Sequence, residues 1–331
     1  MSYAAASTTQ PAPDRRLPLL RRLAWLCTAL MLATISLSAF MRLSQAGLGC
    51  ADWPACYGQN LRAAQPGDAA QSGHAVATVR LAHRVVASLT LLLVIVMAMA
   101  TLTTRPVLKR AGALSLALLQ LALALAALGI ATPGARLPAV AMGNLLGGFV
   151  MLALCWRLVA STRPPATPAA AGLGAWAVAA LVLLCGQLAG GALVSASYAA
   201  LSCSDLTECT RSAAAAGWDW QALNPWREPV VAAAAATAPI NAGSAVAINP
   251  SSAFALWAHR VGAIVVLPVL GLLGLVAWRR GRRRGGAALL MLAALQGLLG
   301  LLIVTTGLPL AAVLLHNLLA ALLLATLVRL V

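Results

Sequence analysis

Eight apolar runs, each about 20 residues long, are what most restrict the fold of this chain, because that is the length a helix needs to cross a bilayer. They lie at approximately 22–42, 78–101, 112–131, 137–159, 173–195, 253–277, 286–306 and 309–330. All are rich in Leu and Ala, and none contains a carboxylate. In lipid every backbone polar group needs an internal partner, which leaves helices or a closed barrel. Barrel strands alternate apolar with polar, and these runs do not. The fold class expected is therefore all-α: a polytopic membrane protein with eight transmembrane helices. Composition agrees. The 331 residues are 61% hydrophobic and 9% charged, against roughly 25% charged in a soluble domain.

The net charge of +16 follows the spans. Segments joining them fall alternately on two sides, and 15 of the 23 Lys and Arg lie on one of them, among them Arg21, Arg22, Lys109, Arg110 and Arg279 to Arg284. The other side holds six of the seven acidic residues. Basic residues stay on the cytoplasmic side of a membrane, so both termini are expected there, in a bacterial inner membrane. The clusters are topology signals, and no nucleic-acid partner is expected. Residues 1–21 read as a cytoplasmic tail. The first run lacks a small-residue cleavage site after it and reads as a retained helix.

The chain also repeats itself. "LAHRVVASLTLLLV" at 81–94 is echoed by "WAHRVGAIVVLPVL" at 257–270, and His83 and His259 are 176 residues apart, as are Gln120 and Gln296. "LPAVAMGNLLGGF" at 137–149 is echoed by "LPLAAVLLHNLLAAL" at 308–322. Two duplicated four-helix bundles are expected, 22–160 and 173–331, joined by a cytoplasmic linker at 161–172. Each has an even number of spans, so the repeat is parallel. Long external loops are expected at 43–77 and 196–252.

Each long loop carries two cysteines with five residues between them, Cys50 and Cys56, then Cys203 and Cys209. Equal spacing on the outer side reads as one disulfide per loop. A zinc site is the competing idea, but it needs more ligands than His74 supplies. Cys27, Cys155 and Cys185 lie inside spans and read as small apolar residues.

Three of the four histidines, His83, His259 and His316, also lie within spans. At 1.5 Å rise per residue each sits roughly 10 Å below the outer surface. An ionisable side chain at that depth is a functional candidate. Opposed imidazoles at one depth in a helical bundle suit both axial positions of a haem. The plain alternative is a hydrogen bond to a neighbouring helix. Arg84 and Arg260 follow their histidines directly, on another helix face, placed either to pair with haem propionates or to reach the interface.

Together these features resemble the haem A synthase family of cytochrome oxidase assembly proteins. The resemblance runs from about 22 to 330. It rests on "RLSQAGLGCADWPACYGQ" at 42–59, the repeated His-Arg pair, "GALVSASYAALSCSDLTEC" at 191–209 and the histidine of the last span. It implies oxidation of a methyl group of haem O to the formyl of haem A. It implies haem b as cofactor between His259 and His316, with substrate haem in the first half on His83. Partners implied are membrane lipid, haem O synthase and cytochrome oxidase assembly factors. It also implies that Cys50 and Cys56 bear on activity and Cys203 and Cys209 on folding.

The chain departs from that family's pattern in its first half. Where the family has a glutamate three residues before the histidine of span two, this sequence has Arg80. Where the family has a histidine in span four, it has Asn144, or Gly143 by the internal repeat. A haem on His83 with an open face suits oxidation, and Arg80 is placed for a haem propionate. The competing function is a non-catalytic haem b protein for electron or haem transfer. A secondary transporter is a third, against which the absence of carboxylates in the spans argues.

Overall fold

The computed structural model describes residues 16–45, 73–103, 107–132, 137–162, 173–229 and 250–331. Among these, eight helices are long and apolar enough to cross a membrane. They are α1 (Arg16–Gln45), α2 (Gly73–Leu102), α3 (Lys109–Ala131), α4 (Pro138–Ser161), α5 (Gly174–Ala196), α7 (Ala253–Arg279), α8 (Arg283–Thr305) and α9 (Leu310–Leu330). A short helix, α6 (Leu206–Ala215), lies between α5 and α7. The protein is a multi-pass, all-helical membrane protein. Cys50 and Cys56 lie outside the described residues.

Helix ends overrun the apolar runs. α1 begins at Arg16, before the start at 22 that hydropathy gives, and α2 at Gly73. Hydropathy marks the stretch that lies in lipid, whereas a helix continues into the interface while long basic side chains reach water.

α1 packs on α2 and α4, and α3 packs on the same two, closing a ring of four. α7 packs on α5 and α8, and α9 on the same two, closing a second. The rings meet where α4 touches α5 and α9, and where α1 touches α9. Lipid is as apolar as leucine, so close packing holds such helices together more than burial does. Small residues accordingly fill the contacts: Ala24, Ala177, Ala277, Ala321 and Ala325 are fully buried. α7 and α8 come closest at Gly286, where a Cβ would lie 2.5 Å from the carbonyl oxygen of Gly274. Large apolar side chains point outward in turn, with Ile130 80% and Val182 66% exposed, as suits contact with lipid. Within the first ring the thiols of Cys27 and Cys155 lie 3.2 Å apart, joining α1 to α4.

The two ends of the molecule differ. At the basic end, Arg157 and Arg282 donate to the carbonyls of Val328 and Leu330 at 2.9 and 2.7 Å. These belong to the last turn of α9, whose carbonyls have no intrahelical partner. At the opposite, loop end, Asp205 caps α6 by accepting from the Glu208 amide at 2.8 Å. The Glu208 carboxylate accepts in return from the Ser204 amide at 2.7 Å and from its hydroxyl. This is a capping box displaced by one residue. Trp218, Trp220, Phe254 and Trp257 form an aromatic cluster where α7 begins. The Ala139 amide donates to the Pro225 carbonyl at 2.8 Å, so this loop also grips the first ring.

Candidate functional site

The second ring carries a pair of imidazoles. His259 stands on α7 and His316 on α9, each six residues past the first residue of its helix at the loop end. Both helices pack on α5 and α8, which places the two histidines on opposite sides of the second ring. Each faces a glycine. A Cβ at Gly191 of α5 would come within 2.8 Å of His259 Cε1, and one at Gly300 of α8 within 3.5 Å of His316 Cε1. A side chain at 191 would crowd His259, so glycine there is a packing requirement, whereas one at 300 would meet His316 at ordinary contact distance.

A glutamine precedes each glycine by one helical turn, Gln187 before Gly191 and Gln296 before Gly300. The Gln187 amide nitrogen lies 3.1 Å from His259 Nδ1 and donates to the His259 carbonyl at 2.9 Å. His259 is thereby fixed on its Nδ1 side. Four buried polar atoms of the described residues lack a hydrogen-bond partner: Ser115 Oγ on α3, and three on α8 and α9, namely Gln296 Oε1, His316 Nδ1 and Asn317 Nδ2. Buried polar atoms are nearly always paired, so an unpaired set marks a site with work beyond packing.

Arg260 points away from this pair. Its Nη1 donates to Cys209 Sγ at 3.1 Å, and its Nη2 lies 3.5 Å from the Cys203 carbonyl. Cys203 and Cys209 are themselves at bonding distance, with Cα atoms 5.1 Å apart. Arg260 therefore ties α7 to the loop above it.

The first ring holds His83 partly buried on α2, with Arg80 and Arg84 exposed. Arg80 and His83, three residues apart, share one helix face. On α4, Gly143, the counterpart of His316 in the sequence repeat, and Gly147 pack against Leu128 and Leu125. These contacts are apolar. Asn144 is partly buried beside them.

Residues 21–328 match the family model described as Cytochrome oxidase assembly protein. The chain is also 33% identical over 335 aligned residues to the protein named Heme A synthase of Shewanella oneidensis, spanning 93% of this chain and 95% of that one. The chain belongs to the cytochrome oxidase assembly protein family. The match covers both helical rings, and so includes the imidazole pair and the altered face of α2 alike. Among the described residues no three His, Cys, Asp or Glu gather closely enough to hold a metal ion.

Sequence reasoning singled out the three membrane histidines and their arginines. It passed over Gln187, Gly191, Gly300 and Arg42. The recurring Gln-x-x-x-Gly at 187–191 and 296–300 was the available signal.

Proposed function

We propose that this protein is a haem A synthase of the bacterial inner membrane, oxidising a methyl group of haem O to the formyl of haem A. Haem b between His259 and His316 serves as its cofactor, and the basic end faces the cytoplasm. The observation that carries the reading is the imidazole pair with its two glycines, in a chain of this family.

The second ring suits a flat macrocycle. Gln187 fixes the His259 ring on its Nδ1 side; for Nε2 to ligate, Nδ1 carries the proton and the Gln187 side-chain amide turns so that its Oε1 accepts it. Gly191 and Gly300 remove side-chain bulk from beside each imidazole. His316 Nδ1 and Gln296 Oε1 supply a donor and an acceptor that ligation would orient. A haem ligated by two histidines accepts and passes single electrons. The oxidation needs such an acceptor, since methyl plus water gives formyl with release of equal numbers of protons and electrons.

The chain's own residues then have separate tasks. His83 holds the substrate on α2, and Arg80 and Arg84 meet its carboxylates at the loop end. The Cys203–Cys209 loop, held by Arg260, covers the second ring. The sequence echoes between the halves support reading the rings as copies of one unit, one for substrate and one for cofactor.

The decisive experiment is haem extraction and chromatography from cells producing haem O with and without this protein. Haem A is expected only with it, and is expected to vanish in His259→Ala and His316→Ala. Purified protein is expected to show a reduced b-type spectrum that both variants lose. A folded, membrane-inserted protein that yields only haem O overturns the reading.

A further inference from the structure

We propose that Arg42, a residue of the first ring, binds a carboxylate of the tetrapyrrole held by His259 and His316 in the second. The inference deepens the function proposed above and rests on it.

Arg42 lies in the last turn of α1 at the loop end. Its Nε donates to Ser195 Oγ on α5 at 3.1 Å. Aligning "SQAGLGC" at 44–50 with "SYAALSC" at 197–203 makes Arg42 and Ser195 counterparts, each eight residues before its cysteine. They meet at the junction of the two rings, as counterpart residues on a twofold axis would. Only one of the pair is charged.

Ser195 continues a face of α5 already described. Gln187, Gly191 and Ser195 recur every fourth residue, so they stand in one row about 6 Å apart. Gln187 fixes the His259 imidazole, Gly191 lies against it, and Ser195 holds Arg42 one turn nearer the loop end. A porphyrin ligated through His259 extends its rim beyond the imidazole. Its carboxylates seek the polar end of the helices, where the Arg42 guanidinium is held.

The arginine is otherwise unexplained. It is partly buried, its partner Ser195 is neutral, and among the described residues it makes no ion pair. A guanidinium in such a place calls for an anion. Its neighbour Leu43 is buried among Tyr198, Leu201, Leu308 and Leu310, which fixes this turn of α1 against the second ring. Arg260, the other arginine near His259, is engaged by Cys209 and the Cys203 carbonyl. Arg42 is thus the guanidinium left to receive a carboxylate.

The test compares ferric haem b with its dimethyl ester, which cannot accept a charge-assisted bond, titrated into the full-length chain purified from haem-starved cells. The low-spin signal of the two-histidine site reports binding. Wild type is expected to prefer the free acid, and Arg42→Gln, which can still bond Ser195, to lose about tenfold to a hundredfold of that preference. Arg42→Lys is expected to retain part of it. The midpoint potential is expected to fall in Arg42→Gln, since loss of a positive charge favours the ferric state. A packing role for Arg42 predicts equal losses for both haems and no change in preference. If Arg42→Gln keeps the full preference, or wild type has none, the proposal is overturned while the cofactor reading stands. If wild type shows no low-spin signal with either haem, both fall.

Discussion

The Gln187 amide lies 3.1 Å from His259 Nδ1 and donates to the same residue's carbonyl at 2.9 Å, so one side chain of α5 holds both the ring and the backbone of its neighbour on α7. α7 can come this close because position 262 is glycine; a Cβ there would strike the Gln187 amide. Outer partners of a ligating histidine typically govern metal affinity by about 10- to 100-fold. Gln187→Leu is therefore expected to lose haem b during purification by a factor in that range. Gln187→Glu is expected to keep the haem but lower its midpoint potential, because a carboxylate makes the imidazole a stronger donor. Haem content and redox titration of the purified variants check both outcomes.

The transmembrane plan was legible because each span's signal is local: twenty apolar residues without a carboxylate mean a helix whatever they pack against. The helix α6 was missed inside the long loop, although Asp205 and Glu208, three apart, carried its capping signature. The imidazoles were legible as rare polar residues in apolar runs. Their supports were not. Gln187 bonds across 72 positions and Arg42 across 153, and nothing local in either span says which helix it will meet. Arg42 also stands at the end of its span, where an arginine reads as an interface anchor until packing shows it bonded to Ser195 of another helix.

The loop cysteines have a direct test. With Cα atoms 5.1 Å apart, Cys203 and Cys209 satisfy the geometry a disulfide requires. Mass spectrometry of unreduced protein is expected to find Cys203 linked to Cys209 and Cys50 to Cys56. Closing so short a loop stabilises by roughly 2–3 kcal/mol. Replacing Cys203 and Cys209 with serine is expected to cost about that much locally, and to free Arg260 from the loop. Faster proteolysis between α5 and α7, with an unchanged first ring, reads this out.

Acid should loosen the same loop. The Glu208 amide bonded to Asp205 holds that carboxyl below its usual range, and the Ser204 hydroxyl and amide do the same for Glu208. The Arg227 guanidinium, 2.9 Å away, lowers Asp219. A carboxyl whose pKa is lowered on folding adds stability above its unfolded value, near pH 4. That contribution is lost as pH falls through the lowered folded value. Fluorescence of Trp218, Trp220 and Trp257 is expected to report a transition below about pH 4. Glu208→Gln is expected to weaken its pH dependence, and a flat acid profile in wild type would count against these bonds.

Arg80 is where the role proposed for the first ring can be tested. It shares a face of α2 with His83, one turn nearer the loop end, and it is exposed there. An arginine in that place suits pairing with a carboxylate of the substrate. It does not suit the proton transfer that a glutamate, the residue in the resembling family's pattern, would allow. Because exposed charge pairs are screened, the expected loss of haem O affinity in Arg80→Ala is several-fold to about tenfold, at the low end for charged hydrogen bonds. The spectrum of the second-ring haem should not change, since α2 packs on α1 and α3 and not closely on α7 or α9 among the described residues. Arg80→Glu replaces attraction by repulsion and is expected to bind haem O more weakly than Arg80→Ala and to form less haem A. If Arg80→Glu instead raises haem A formation above wild type, carboxylate chemistry at that position outweighs anchoring, and the role assigned to Arg80 is wrong. Combining it with Asn144→His then tests whether a second imidazole opposite His83 completes such a site.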